Sequence, residues 1–200
     1  GGGTSRGPAA ILEASKQVDL FDHDTGRPYA VGIAMLEIPR KVLRWNREAK
    51  ALARPVIEAG GAVDRKTHAA AAKVNAISES VNDWVYKHTV SLLAKGRMPV
   101  VLGGDHAVPF GAIRAYADQY PGLGILHLDA HADLRQAYEG FTWSHASIFY
   151  NVMTRLPKIG RLVQVGVRDL GQAESRMIET SNGRIRTFFD SDLASRKDEG

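Results

Sequence analysis

Three side chains that can bind a metal ion stand at alternate positions of one short stretch: Asp129, His131 and Asp133. They follow an apolar run, residues 123–128, that has the length and composition of a buried strand. In an extended chain alternate residues point to one face, so two carboxylates and an imidazole can converge on a common point. Oxygen and nitrogen donors without sulfur suit manganese or another divalent ion of similar hardness. For these three residues alone, a simply solvated strand end remains an open alternative.

A second stretch that could do chemistry is Gly-Gly-Asp-His at 103–106, which ends another apolar run at residues 98–102. Two glycines allow a sharp turn and a close approach of the backbone to a ligand. In a parallel α/β sheet the carboxyl ends of the strands meet at one edge, and such sheets bind ligands there. We therefore expect His106 to join Asp129 and its neighbours as a fourth metal ligand. The alternative is a histidine that only stabilises the turn.

The third stretch is Trp-Ser-His-Ala-Ser at 143–147, at a predicted junction between a loop and a helix. Histidine has an ordinary pKa of about 6.5, so His145 can accept and release a proton near neutral pH. We predict that His145 is catalytic and that it contacts the substrate together with Ser144. The alternative is that both residues cap the helix that follows.

Short apolar strands alternate with helices through the second half of the chain, which is typical of an α/β fold with a parallel sheet covered on both faces. The predicted strands are residues 98–102, 123–128, 162–167 and 185–189, and the predicted helices are 109–120, 145–156 and 171–180. Upstream, the pattern favours helices at 9–17, 45–59 and 67–95 and a weak strand at 29–36. In the first of these helices Pro8 suits the first turn and Ser5 is a candidate cap. We interpret residues 1–200 as a single domain.

The composition excludes several classes of function. There are 26 basic and 22 acidic side chains, and the net charge of +4 is spread along the chain, so we expect no nucleic-acid partner. The absence of cysteine excludes disulfides, zinc–thiolate sites and cysteine nucleophiles. No apolar run approaches the roughly 20 residues that a membrane span needs, and the opening residues do not resemble a signal sequence. These features predict a cytoplasmic protein with no membrane partner.

Taken together, the motifs resemble those of a known family. Gly-Gly-Asp-His at 103–106, Asp-Ala-His-Ala-Asp at 129–133 and Ser-His-Ala at 144–146 are similar to three signatures of the ureohydrolases, which include arginase, agmatinase, formimidoylglutamase and guanidine hydrolases. The opening stretch at 3–11 also resembles the first loop and helix of that family. The resemblance implies a three-layer α/β/α fold with a mainly parallel sheet. It also implies a binuclear manganese centre that hydrolyses a guanidino C–N bond and releases urea.

The resemblance also implies roles for individual residues. His106 would bind one manganese ion, Asp129 would bridge two, and His131 and Asp133 would complete the ligands found here. His145 would carry a proton or contact the substrate. The implied cofactor is Mn²⁺, two ions in the complete site, with nickel or another divalent ion also possible. The implied partners are a small guanidino substrate and further copies of the chain, as a trimer or hexamer.

The resemblance is incomplete at both ends. The family's later motif, Ser-x-Asp-x-Asp-x-x-Asp-Pro, supplies the remaining carboxylate ligands and has no match here. The stretch Phe-Phe-Asp-Ser-Asp at 188–192 lacks the proline turn, so we interpret Asp190 and Asp192 as part of a solvated loop. The first strand of the family is also missing. We therefore expect an incomplete, truncated domain.

Two other functions stay open. The first is a catalytically inactive fragment or subunit piece with impaired metal binding, because four ligands shared by two ions leave each ion under-coordinated. That hypothesis predicts at most one weakly bound ion and little urea release. The second, less favoured, is a deacetylase of the same broad fold, a branch that uses a single zinc ion and lacks the Gly-Gly-Asp-His arrangement. The sequence does not determine the guanidino substrate, the metal or the oligomeric state.

Overall fold

A computed structural model describes residues 4–195 of the chain. Its α-helices are α1 (Gly7–Ala14), α2 (Arg40–Glu58), α3 (Arg65–Leu93), α4 (Phe110–Gln119), α5 (Ile148–Arg155), α6 (Gln172–Glu179) and α7 (Asp190–Ser195). The strands are β1 (Gly124–Leu128), β2 (Arg161–Val167) and β3 (Ile185–Phe189). Short 3-10 helices lie at Thr4–Arg6, Ser15–Gln17, Pro28–Val31 and His145–Ser147. From α4 onwards helices and strands alternate without exception, as the sequence predicts.

The sheet is parallel, and within the described residues it has three strands in the order β1-β2-β3. In the central strand, Leu162 lies opposite Ile125 of β1 and Ile185 of β3. A bulge between Val165 and Val167 ends the regular pairing of β2 with β3 close to the carboxyl edge of the sheet. The α/β class with a parallel, incomplete sheet is therefore confirmed.

The main apolar core lies around α4, α5, β2 and β3. On α5, Ile148 and Val152 stand four residues apart and are almost fully buried, as expected for the inner face of a helix. The loop after β1 also contributes to the core, because Ala132 and Leu134 are buried on either side of Asp133. Each fully buried aliphatic side chain of this kind stabilises the fold by about 1.5–3 kcal/mol. Core packing thus fixes the backbone that carries the candidate ligand Asp133.

Three predictions about local structure are wrong. Residues 98–102 form no strand, and Val100 is 82% exposed. Pro99 has no N–H for a ladder, and its carbonyl accepts a hydrogen bond of 2.9 Å from the Tyr116 hydroxyl of α4 instead. The weak strand predicted at residues 29–36 is a 3-10 turn followed by irregular chain, and Ser5 does not cap α1, which has Arg6 at the N-cap position.

The upstream helices follow the sequence signals closely. Asp64 caps α3 by accepting a hydrogen bond of 2.7 Å from the Thr67 N–H. Gly96, with a φ of +66°, follows the last turn of α3, where the left-handed conformation favours glycine. Pro55 lies inside α2, one turn before its end, and Pro8 is in the first turn of α1. None of the helices in the described part of the chain combines the length and apolar character that a membrane span requires.

Candidate metal centre

The loop after β1 is attached to the carboxyl end of β2. The Asp129 N–H donates to the Val165 carbonyl at 3.2 Å, and the Ala130 carbonyl accepts hydrogen bonds from Arg168 and Asp169 at 2.8 and 3.1 Å. Backbone bonds of this kind extend the strand pairing past the end of β1. They hold Asp129 at the carboxyl edge of the sheet, as the sequence predicts.

The backbone around Asp133 is held by two helices, α5 and α6. Its carbonyl accepts hydrogen bonds from Phe149 and Tyr150 at the start of α5, at 3.0 and 3.3 Å. The next residue, Leu134, donates its N–H at 2.9 Å to Glu174, a buried carboxylate of α6. Asp133 itself has a φ of +53°, a conformation that costs a non-glycine residue roughly 1–3 kcal/mol. These bonds and the buried neighbours of Asp133 maintain a backbone geometry that it would not adopt alone.

His106 is presented by a separate turn. Gly103 and Gly104 have φ angles of +69° and +96°, so the sharp turn inferred from the two glycines is present. A Cβ on Gly103 would lie 3.0 Å from the side chain of Pro8 in α1, which explains the need for glycine there. The Asp105 side chain accepts a hydrogen bond of 3.1 Å from the Ala107 N–H and so stabilises the turn within itself.

Four side chains come together where these two loops meet. One ligand atom from each of His106, His127, Asp129 and Asp133 lies within 4.8 Å of the others. His106 Nδ1 is 2.6 Å from Asp133 Oδ2 and 3.5 Å from Asp129 Oδ2. His127 Nε2 is 3.4 Å from the same Oδ2 of Asp129. We call these four residues the ligand cluster.

The electrostatics of the ligand cluster favour an ionised Asp129 carboxylate. The hydrogen bond to Asp133 raises the pKa of His106, and burial opposes this shift. Burial lowers the pKa of His127. Burial also tends to raise the pKa of Asp129, but the His131 backbone N–H and the two nearby imidazoles outweigh it, so the pKa is lowered. The Asp133 side chain is only 6% exposed. Nitrogen and oxygen donors so close together, with an ionised carboxylate among them, suit a divalent cation of the manganese type.

The structure brings together three of the four residues predicted as metal ligands, namely His106, Asp129 and Asp133. His131 lies outside the ligand cluster, and its side chain is 60% exposed. Its Nδ1 is nevertheless 3.3 Å from Asp129 Oδ1, and its Nε2 is 3.8 Å from a carboxylate oxygen of Asp169. Its role as a ligand stays a prediction.

Sequence reasoning missed His127, although a signal for it was present. His127 precedes Asp129 by two residues and therefore lies on the same face of the extended chain. It also interrupts the apolar run of β1 between Leu126 and Leu128, where a buried polar side chain needs a partner. Asp169 was missed as well, because it follows β2 without any motif around it.

The residues predicted for catalysis and substrate contact lie on the loop before α5. Ser144 is buried, and its hydroxyl is 2.8 Å from that of Ser147. His145 is exposed and starts a 3-10 helix, with its ring 5.8 Å from the ring of Tyr138. Neither belongs to the ligand cluster, and their substrate roles stay predictions. Asp190 is exposed, as expected, but it begins the short helix α7 and not a loop.

Comparison with known proteins supports one family. The family model described as the arginase family matches residues 1–197. The chain is 30% identical to N(1)-aminopropylagmatine ureohydrolase of Thermus thermophilus over 177 residues. This alignment covers 88% of this chain and 48% of that protein. It is 35% identical to mitochondrial arginase 1 of Oryza sativa subsp. indica over 119 residues, an alignment that covers 58% of this chain and 33% of that protein. The chain thus spans about half the length, or less, of these curated relatives.

A solved structure agrees with the fold. The agmatine ureohydrolase of Thermoplasma volcanium superposes with a TM-score of 0.61 at 20% identity, over 94% of this chain and 52% of that one. With the match to the family model over nearly its whole length, the chain belongs to the arginase family.

Proposed function

We propose that this chain forms the metal-binding part of a ureohydrolase, an enzyme that hydrolyses a guanidino C–N bond with divalent manganese and releases urea. The observation that carries the proposal is the position of Asp129 between two groups of nitrogen donors. Its Oδ2 faces His106 at 3.5 Å, and its Oδ1 faces His131 at 3.3 Å. A carboxylate with one oxygen towards each side is suited to bridge two cations.

Two sets of residues would hold the cations. His106, Asp133 and Asp129 Oδ2 would hold the first, and His131 and Asp129 Oδ1 the second. Bound divalent ions would lower the pKa of a coordinated water towards neutrality and so supply a nucleophile. The chain contributes the position of these donors: Asp129 and Asp133 are fixed by backbone hydrogen bonds to β2 and α5.

The substrate class follows from charge. A guanidinium group is a cation, and carboxylates at the sheet edge that do not hold a metal ion would attract it. Asp169, which lies 3.8 Å from His131, adds a further exposed carboxylate to this edge. We assign to His145 the transfer of a proton to the departing amine and to Ser144 a supporting position in the substrate site. Arginine, agmatine and N(1)-aminopropylagmatine, the compounds in the names of the relatives, are the candidate substrates. The proposal includes a cytoplasmic location and assembly with further copies of the chain.

The test compares Asp129→Asn with Asp190→Asn, a matched change at an exposed carboxylate after β3. We expect Asp129→Asn to weaken Mn²⁺ binding by more than the roughly 10–100-fold that is typical when a residue behind a metal ligand is substituted. Calorimetry measures the affinity. Asp190→Asn should leave the affinity unchanged. Equal losses in both variants would contradict the proposal and point to Asp190 as a replacement ligand.

Urea release from agmatine, arginine and guanidine is measured on the same samples. Mn²⁺-dependent urea release that is lost in Asp129→Asn would support the full proposal. Mn²⁺ binding that depends on Asp129, without urea release from any of these substrates, would support the alternative of an inactive piece. No Mn²⁺ binding by the unmodified chain would reject the metal site.

A further inference from the structure

Gln164 is a polar residue in the middle of the apolar central strand β2, and its side chain is fully buried. Its carboxamide contacts both neighbouring strands and the loop after β1. Nε2 lies 2.7 Å from the Ala132 carbonyl and 3.0 Å from His127 Nδ1, and Oε1 accepts a hydrogen bond of 2.9 Å from the Thr187 hydroxyl. Burying an amide costs free energy unless its hydrogen bonds are made, and here both ends of the amide are bonded.

The orientation of this amide is fixed by the Ala132 carbonyl. A carbonyl oxygen only accepts hydrogen bonds, so the amide atom 2.7 Å from it has to be the NH₂ nitrogen. The reversed amide would place two oxygens against each other. With Nε2 in this position, its second hydrogen points to His127 Nδ1, which must accept it. A neutral imidazole that accepts at Nδ1 carries its own hydrogen on Nε2.

The Nε2–H group of His127 lies near the Asp129 carboxylate. Asp129 Oδ2 lies 3.4 Å away, and no described residue makes an ordinary hydrogen bond to this buried nitrogen. A protonated Nε2 has no lone pair with which to bind a cation. His127 is therefore part of the ligand cluster by distance, but this network makes it a donor to a ligand rather than a ligand itself.

We propose that Gln164 and His127 form a positioning pair that holds the Asp129 carboxylate for metal binding. Gln164 sets the tautomer of His127, which places the Nε2–H of His127 3.4 Å from Asp129 Oδ2. Gln164 lies on β2 and His127 on β1, and the pair approaches the Asp129 carboxylate from the side that faces the core. This inference rests on the proposed metal site, and it assigns to Gln164 a role beyond packing.

The first experiment reads the tautomer directly, in the metal-free chain. Nitrogen-15 NMR of the His127 ring should show the hydrogen on Nε2 and a lone pair on Nδ1. Gln164→Leu, which removes the donor without adding charge, should leave the ring exchanging between both tautomers. Thr187→Val is the matched control, because it removes only the bond at Oε1 and should preserve the hydrogen on Nε2. A hydrogen on Nδ1 in the unmodified chain would overturn the proposal, whether or not a cation binds.

The second experiment uses the sign of a change in metal affinity. In Gln164→Glu the oxygen that replaces Nε2 accepts from His127 Nδ1, which moves the imidazole hydrogen there and turns the Nε2 lone pair towards Asp129. The same change removes the hydrogen bond to the Ala132 carbonyl. If His127 is a positioning donor, Mn²⁺ binding should weaken by about 10–100-fold, as for other residues behind a metal ligand. If His127 is a ligand, the same carboxylate should increase its basicity and tighten binding. Tighter binding would therefore reject the positioning pair.

Two further measurements test whether His127 is a donor to Asp129 or a metal ligand. Because the buried glutamate can impair folding, Gln164→Leu is measured in parallel, and a loss of affinity similar to that of Gln164→Glu supports the proposal. Addition of Zn²⁺, a diamagnetic probe, should leave the hydrogen on His127 Nε2, and its loss would identify His127 as a ligand and overturn the inference. If the unmodified chain binds neither ion, the proposed function fails, and the tautomer in Gln164→Leu and Thr187→Val still decides whether Gln164 sets the state of His127.

Discussion

The two loops that supply His106, Asp129 and Asp133 are supported very differently. Residues 129–135 are hydrogen-bonded to β2, α5 and α6, and Ala132 and Leu134 anchor them in the core. The hydrogen bonds of residues 103–109 are largely between near neighbours, such as those from Ala107 and Val108 to Asp105. The segment ahead of this turn, residues 98–102, is not paired in the sheet. We call the first loop the anchored loop and the second the His106 turn.

This difference indicates how the site is organised. The anchored loop places the carboxylates in advance, which limits the entropy lost when a cation binds. The His106 turn contributes an imidazole from a segment with few long-range bonds, and such segments open at lower free energy than the core. We infer that a cation binds to preformed carboxylates and that His106 completes its coordination.

The largest effect is expected from Glu174→Gln, which weakens the support of the anchored loop. The Glu174 carboxylate is buried and accepts hydrogen bonds from Leu134 at 2.9 Å and Gly171 at 2.7 Å. Glutamine keeps the shape but has only one oxygen, so one of these N–H groups will face an NH₂ group. We expect the free energy of unfolding to fall by about 1–3 kcal/mol, the cost of leaving a buried donor without an acceptor. Urea denaturation of the metal-free chain measures it.

Glu179→Gln is the control on the same helix. Glu179 is exposed and accepts a hydrogen bond from Ser175, so its substitution should change stability by less than about 0.5 kcal/mol. If the two variants are equally stable, Glu174 does not support the anchored loop, and the comparison between the two loops loses its main physical basis.

Hydrogen exchange tests the same comparison without a mutation. The Leu134 and Phe149 amides, which tie the anchored loop to α6 and α5, should be protected in the metal-free chain. The Ala107 and Val108 amides should exchange at least about tenfold faster, because opening a local turn breaks few other contacts. Saturating Mn²⁺ should slow the second pair much more than the first. Equal protection of both pairs before Mn²⁺ is added would contradict the inferred order of assembly.

The sequence predicted the anchored loop better than the His106 turn, and the reason is physical. Alternating ligand residues after an apolar run form a local pattern, and the positions of β1, β2 and β3 follow from equally local patterns to within a residue or two. Whether residues 98–102 pair in a sheet depends on a partner strand elsewhere, which no local pattern specifies. The prediction of a strand there was therefore wrong, although the turn after it and the placement of His106 near Asp129 were confirmed.

His127 and Gln164 show a second limit of sequence reasoning. Both are polar residues inside apolar strands, and each alone is compatible with an exposed face. Only the register of β1 and β2, in which His127 lies opposite Gln164, places the two side chains together. The register is a property of the whole sheet, so the network around Asp129 could be recognised only in the structure.

The smallest effect is expected at a contact outside both loops, the ion pair of Lys158 with Asp118 of α4. Lys158 Nζ lies 2.7 Å from Asp118 Oδ1, and both side chains are more than a third exposed. The hydrogen bond from Lys158 lowers the pKa of Asp118. A lowered carboxylate pKa adds stability above the unfolded-state value near 3.9, and that stability is lost as the pH falls through the folded-state value.

Lys158→Met should therefore cost at most about 0.5 kcal/mol at neutral pH, because solvent screens the pair. The cost should disappear at acid pH, below both pKa values. Chemical denaturation at the two pH values measures it. A loss as large as that of Glu174→Gln would mean that surface charge, and not the buried support of the anchored loop, dominates the stability of this part of the molecule.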